Sequence, residues 1–251
     1  MSYRVVWFKR DLRVQDHWPL HEAARQGPVL CLYVVEPGLW AQPDAAAQHY
    51  GFVRESLQVL DQQLRQRGAY LHVGVGEVVD VLATLHAQAP FEAVHAHEET
   101  GNAHTFARDL AVGRWCRAQG VGWHEWPQFG VVRGLKDRDL WLPAWETHMA
   151  TDLLPTPARL ASPPLGDVAG DRSGVMPWGA RPLPTPEALG LHDPDPPQRQ
   201  HGGGPHPGDR HSRPVRLQAA RARSRSAEVR RLYPRLFDHG IRQRPHRVRD
   251  R

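Results

Sequence analysis

Two short runs, YRVVWF at 3–8 and PVLCLYVV at 28–35, are apolar at almost every position. A strand with one wet face alternates apolar and polar residues, so runs this continuous are strands covered on both faces. AYLHVGV (69–75), FEAVHAH (91–97) and GVGWHEW (120–126) are weaker strands of similar length. Helical patterns lie between them. Asp16 is placed to cap a helix beginning near His17, with Pro19 tolerated in its first turn. Residues 46–67 space Val53, Leu57, Leu60 and Leu64 three or four apart, and Gly68 stops the pattern. Residues 77–88 form a third helix. Residues 103–119 form a fourth, which contains Phe106, Leu110 and Trp115 and ends at Gly120.

Strand alternating with helix implies βαβ units. The expected fold is α/β: a Rossmann-like, doubly wound, five-stranded parallel sheet over residues 1–140. Ligands of such sheets sit beyond the carboxyl ends of the strands. The loops to inspect are therefore 9–16, 36–45, 74–78, 97–103 and 127–139.

Beyond Asp139 the texture changes. Residues 140–197 hold 12 of the 23 prolines, and no periodic pattern continues past about 153. Residues 141–200 read as an extended, Pro-rich interdomain linker that orders on contact. The stretch 201–251 carries 14 Arg against 4 acids, while the first 200 residues carry 18 Lys+Arg against 23 Asp+Glu. The front of the chain is thus mildly acidic, and the net charge of +5 gives no general argument for nucleic-acid binding. No run of about 18 apolar residues is present, so no membrane span is expected. The N-terminus lacks an apolar signal core, and a cytoplasmic location is expected. Cys31 and Cys116 sit among apolar neighbours and read as buried thiols.

The first loop, WFKRDLRVQDHWPL, brings Lys9, Arg10, Asp11, Arg13 and Asp16 to the sheet edge before a helix. Charges this dense can orient a planar or anionic ligand, or pair among themselves. No G-x-G-x-x-G follows a strand, so "Rossmann-like" describes shape and not a dinucleotide site. The fourth loop, HAHEETGNAHTFARD, places Glu98 and Glu99 at a strand end, with Thr100 or Asn102 as cap of the next helix. His95, His97 and His104 raise a metal hypothesis, but no second cluster has ligand-like spacing, and no metal site is expected. Nucleophile motifs are missing.

The strings VVWFKRDLRVQDHWPL and HEETGNAHTFARDLAVGRWCRAQGVGWHEWPQFGVVRGLKDRDLW resemble the photolyase/cryptochrome family over roughly residues 3–155. The resemblance implies an N-terminal domain that shelters an antenna chromophore of folate, deazaflavin or flavin type. It also implies an all-helical C-terminal domain that binds FAD and flips the damaged base out of UV-damaged DNA. Antenna contacts are implied at Lys9, Arg10, Asp11, Glu36, Glu98, Glu99 and Asn102. No direct DNA contact is expected from residues 1–140, and no catalytic residue maps to this chain. In the family the linker leads into a Leu-, Phe- and Tyr-rich helix, whereas here QHGGG gives way to Arg, Pro, His and Ala. The expectation is a disordered, frameshifted tail at 201–251, from G+C-rich DNA read out of frame, and a truncated photolyase homologue inactive alone. Other readings are a stand-alone chromophore- or nucleotide-binding module, a cryptochrome-type light sensor, and nucleic-acid binding through the basic tail. Trp141, Trp145 and Trp178 are candidate contacts to a helical domain.

Overall fold

The computed structural model describes residues 2–164 and 174–192. The expectations for 201–251, disorder and a shifted frame, lie outside the described residues. Among the described residues, contacts divide the chain into two units, residues 2–126 with 153–164 and 174–192, and residues 127–152.

The first unit is built on strands β1 (Arg4–Phe8), β2 (Val29–Val35), β3 (Leu71–Val75), β4 (Ala93–His97), β5 (Gly122–Trp126) and β6 (Val175–Pro177). Their order is β5-β4-β1-β2-β3-β6. The first five run parallel, as expected, and β6 is antiparallel on β3. The sheet therefore has six strands where five were expected. A three-residue strand among prolines shows no period of its own. It exists because the outer edge of β3 offers unpaired backbone groups that a passing segment can satisfy, and an edge strand tolerates Pro177.

Helices α1 (Trp18–Gln26), α2 (Pro37–Trp40), α3 (Ala47–Arg65), α4 (Val78–Gln88) and α5 (Ala103–Gln119) connect the strands. Every residue of β2 is buried. Cys31, Tyr33 and Val35 join the cluster under α1 and α3, while Leu30, Leu32 and Val34 join the one under α4 and α5. The period of two thus splits one apolar run between two cores. One local expectation changes. Asp16 does not cap α1: it takes φ 46° and its Oδ1 accepts from Leu154 N–H, while His17 Nδ1 caps the helix by accepting from Leu20 N–H. On α5, Phe106 and Leu110 are exposed, and the buried stripe is Thr105, Arg108, Asp109, Val112 and Cys116.

The Pro-rich stretch packs back on this unit. Leu160, Val175, Leu189 and Leu191 are buried, Val29 N–H donates to Ala161 O, and Tyr50 Oη donates to Pro184 O. β3, the strand that carries β6, is packed tightly on its other side. A Cβ on Gly74 would lie 2.7 Å from Val81 Cγ1. Gly74→Ala is therefore expected to cost about 1–3 kcal/mol, read as a lower urea midpoint, and Val81→Ala in the same chain should recover part of it. An unchanged midpoint would contradict this packing.

In the second unit, a 3-10 turn at Arg138–Leu140 leads into α6 (Trp141–Met149). Trp141 and Trp145 stack with ring centroids 6.2 Å apart. Leu142 and Met149 are exposed beside them.

Candidate functional site

In this strand order, β1 is flanked by β2 on one side and β4 on the other, so the connections leaving β1 and β4 diverge to opposite faces. The crevice beyond their carboxyl ends is where such a sheet offers a ligand site. Loop 9–16 and loop 98–102 meet there.

Below the rim lies a buried ion network. Lys9 Nζ sits 2.6 Å from Asp109 Oδ2 and donates to His97 O at 2.9 Å. Arg108 reaches three carboxylates: Nη1 to Glu36 Oε1 at 2.9 Å, Nη2 to Glu99 Oε2 at 3.4 Å, and Nε to Asp109 Oδ1 at 3.1 Å. Both cations also lie over the ring of Trp7, Lys9 Nζ at 4.4 Å and Arg108 Cζ at 4.7 Å from its centroid. Burial lowers the Lys9 ammonium, against the attraction of Asp109. Burial also pushes Glu36 up to about 7, although Arg108 opposes the rise.

Asp11 belongs to a neighbouring cluster. Its Oδ1 accepts from Lys9 N–H at 2.7 Å, and its Oδ2 lies 2.5 Å from His97 Nδ1 and 2.8 Å from His17 Nε2. Burial raises its carboxyl, but the two imidazoles outweigh that and hold it well below the usual range. Among the described residues, Asp11, His17 and His97 form the group whose donor atoms come close enough for a metal, all within 4.8 Å. The hydrogen bonding argues against one. Leu20 N–H occupies the Nδ1 lone pair of His17, which leaves the ring proton on Nε2, facing Asp11. A metal-bound neutral histidine needs the reverse, with its second nitrogen donating. The three histidines considered in the sequence do not converge: His95 stacks on His124 at 4.6 Å, His97 turns to Asp11, and His104 Nδ1 lies 3.4 Å from Gln42 Nε2.

Lys9, Asp11, Glu36 and Glu99 thus form the floor, each buried. Arg10, Glu98 and Asn102 stand at the rim. The Arg10 side chain is 60% exposed, with Nε 3.9 Å from Glu99 Oε1. Asn102 Oδ1 caps α5 by accepting from Thr105 N–H, and its amide donates to Asp44. Glu98 is half-buried, and its N–H donates to Trp126 O. At Gly101 a Cβ would come within 3.1 Å of both Arg10 Nη2 and Glu99 Oε1, so the two loops approach closely there. Sequence reasoning missed Arg108, Asp109 and His17. The signal for the first two was the 105–108/109–112–116 spacing, a helical stripe with charges at two of its inward positions.

A profile of the DNA photolyase family matches residues 4–132, just over half of the 251-residue chain. The chain belongs to the DNA photolyase family. Among its photolyase-family relatives, cryptochrome DASH of Gloeobacter violaceus is 34% identical over 113 residues, 42% of this chain and 23% of that protein. A bacterial class III photolyase from Agrobacterium tumefaciens has the same fold, with a TM-score of 0.57 at 20% identity over 73% of this chain and 39% of that one. An archaeal photolyase from Sulfolobus tokodaii, described with two FAD molecules and a novel light-harvesting cofactor, gives a TM-score of 0.52 at 20% identity, covering 64% of this chain and 38% of its own. The chain spans less than half the length of these three relatives.

Proposed function

We infer that residues 1–140 are a chromophore-holding module whose ligand lies over the loops that follow β1 and β4. One observation carries this reading. The exposed Arg10 guanidinium, half-buried Glu98 and the capping residue Asn102 stand together at the topological switch point, above a floor of ion pairs that fixes both loops. A planar pigment of folate, deazaflavin or flavin type fits that setting. Arg10 and Asn102 would contact it by paired hydrogen bonds. Lys9, Asp11, Glu36 and Glu99 act as positioning residues. When bound, such a group supplies light absorption.

FAD-dependent repair of UV-damaged DNA is proposed for the whole protein, with no direct DNA contact from residues 1–140. Likeness to a cryptochrome DASH favours light sensing as the alternative. A cytoplasmic location belongs to the same proposal. Among the described residues, no helix is long and apolar enough to cross a membrane.

Equilibrium titration of the full chain with flavin mononucleotide, FAD and methenyltetrahydrofolate, read by visible absorbance, tests the module. Saturable binding of one pigment is expected, weakened about tenfold or more by Arg10→Ala and by Asn102→Ala. Absence of binding by all three, or binding indifferent to both substitutions, would overturn the reading.

A further inference from the structure

Helix α6 has two faces of opposite character. Ala144 is buried and Pro143, Thr147 and His148 are half-buried, so that face turns inward. Trp141, Leu142, Trp145 and Met149 face out, each between 38% and 61% exposed. Trp141, Trp145 and Met149 recur four apart and so form one apolar stripe along the helix. The stripe is held in place. Gly130 packs directly against the Trp145 ring, and the Trp141 ring stacks on it at an interplanar angle of 28°. Phe129 and Val131, on either side of Gly130, are exposed as well. Side chains already ordered in this way lose little freedom when a partner covers them.

Opposite charges sit at the two ends of the stripe. Arg138 opens the 3-10 turn that leads into α6, and Asp152 follows just after the helix cap at Ala150; both are exposed. Each lies seven residues from Trp145, Arg138 before it and Asp152 after it. Two such stripes laid antiparallel about a two-fold axis at Trp145 therefore meet in register. Trp145 falls on Trp145, Trp141 on Met149, and Arg138 on Asp152. A thioether against an indole is a favourable contact. Antiparallel helices also bring each Asp152 to the positive N-terminal end of the other helix and each Arg138 to its negative C-terminal end. The apolar side chains named here expose roughly 600 Å² per copy, or about 1,200 Å² per pair, the lower end of what specific interfaces bury.

We propose that α6 pairs with α6 of a second copy of this chain, antiparallel, through the stripe of Trp141, Trp145 and Met149. A second copy is the occupant because the stripe matches itself. The register that joins the apolar residues also sets opposite charges together at both ends. A lipid surface would call for a cationic rim, whereas Lys136 and Arg138 alternate here with Asp137 and Asp139. None of these residues belongs to the chromophore site, so either reading can fail without the other.

Sedimentation velocity of the full chain, from about 1 to 200 µM, is expected to show a reversible monomer–dimer equilibrium with a micromolar Kd. Met149→Glu should weaken it about a hundredfold and leave the thermal midpoint unchanged, because the side chain is exposed in the monomer. Arg138→Asp and Asp152→Arg should each weaken it about tenfold, since the two-fold axis repeats the like-charge contact at both ends. Mixing these two variants in equal amounts restores opposite charges at both ends, so the mixture should associate as tightly as the parent chain. Apolar adhesion without this register would show no such rescue. Four results overturn the proposal: a monomer at every concentration, growth beyond the dimer, a dimer indifferent to Met149→Glu, or a mixture no tighter than either charge variant alone.

Discussion

Arg108→Met is expected to lower stability by about 3–5 kcal/mol, because it leaves buried carboxylates without their cation. The Arg108 side chain is 6% exposed, and its partners Glu36, Glu99 and Asp109 are 2%, 7% and 4% exposed. Lys9 still balances Asp109 in the variant, but Glu36 and Glu99 lose their strong partner. For a domain of this size the loss corresponds to roughly 10–20 °C in Tm. Methionine keeps most of the aliphatic length, so a cavity is not the main cost. Two companions separate charge from packing. Arg108→Lys should fall between wild type and Arg108→Met, since one ammonium cannot serve three carboxylates as a planar fork does. Glu36→Gln combined with Arg108→Met should be more stable than Arg108→Met alone, a coupling measurable by a double-mutant cycle in urea. A loss below about 1 kcal/mol would mean the network is solvated and not buried.

This network marks the limit of what the sequence made legible. The first five strands, the helices at 46–67, 77–88 and 103–119, and the caps at Asn102 and Gly120 follow from local signals: apolar runs, three-four spacing, side-chain caps and a left-handed glycine. Each is decided within a few residues. β6 could not be read that way, because Val175–Pro177 becomes a strand only by meeting β3, about 100 residues earlier in the chain. His17 was hidden by the same limit. Asp16 is as good a local cap, but its carboxylate is taken by Leu154 N–H from a distant segment. For the candidate site, the sequence pointed to the loops after β1 and β4 but not to the division of labour within them. Lys9 and Glu36 look like ligand contacts in a list of polar loop residues. Their burial, and so their part in the floor, depends on Arg108 arriving from α5.

Acidification should destabilise the described domain steeply, with stability falling from about pH 6.5 downward. Three buried histidines drive this. Burial lowers His72 to about 4 and His95 to about 3; it also lowers His97 to about 4, against the hydrogen bond to Asp11. His72 and His95 are 1% and 0% exposed, and neither ring nitrogen of His95 has a hydrogen-bond partner. The unfolded chain takes up these protons near pH 6.5 while the folded one does not, so protonation pulls toward the unfolded state. Glu36 acts in the opposite sense. Its folded value of about 7 exceeds the ordinary 4.5, so it binds its proton more readily when folded, and its burial costs least in acid. His86 and His124, which burial also lowers, act in the same sense as the three. The three protons favouring unfolding against the one favouring folding leave a net of two near pH 5. That is a slope of about 2.7 kcal/mol per pH unit. Between pH 6.5 and 4 that slope removes at most about 7 kcal/mol, which exhausts a domain at the lower end of the usual range of about 5–15 kcal/mol. Below pH 4 the Asp11 carboxylate adds to the loss, because its depressed folded value favours the charged form that acid removes. Urea unfolding at half-unit steps from pH 7.5 to 4.5 measures the slope. His95→Leu should remove about one proton from it, or about 1.4 kcal/mol per pH unit, whatever the variant's absolute stability. A stability flat between pH 7 and 5, or a slope unchanged in His95→Leu, would show that these imidazoles reach water in the folded protein.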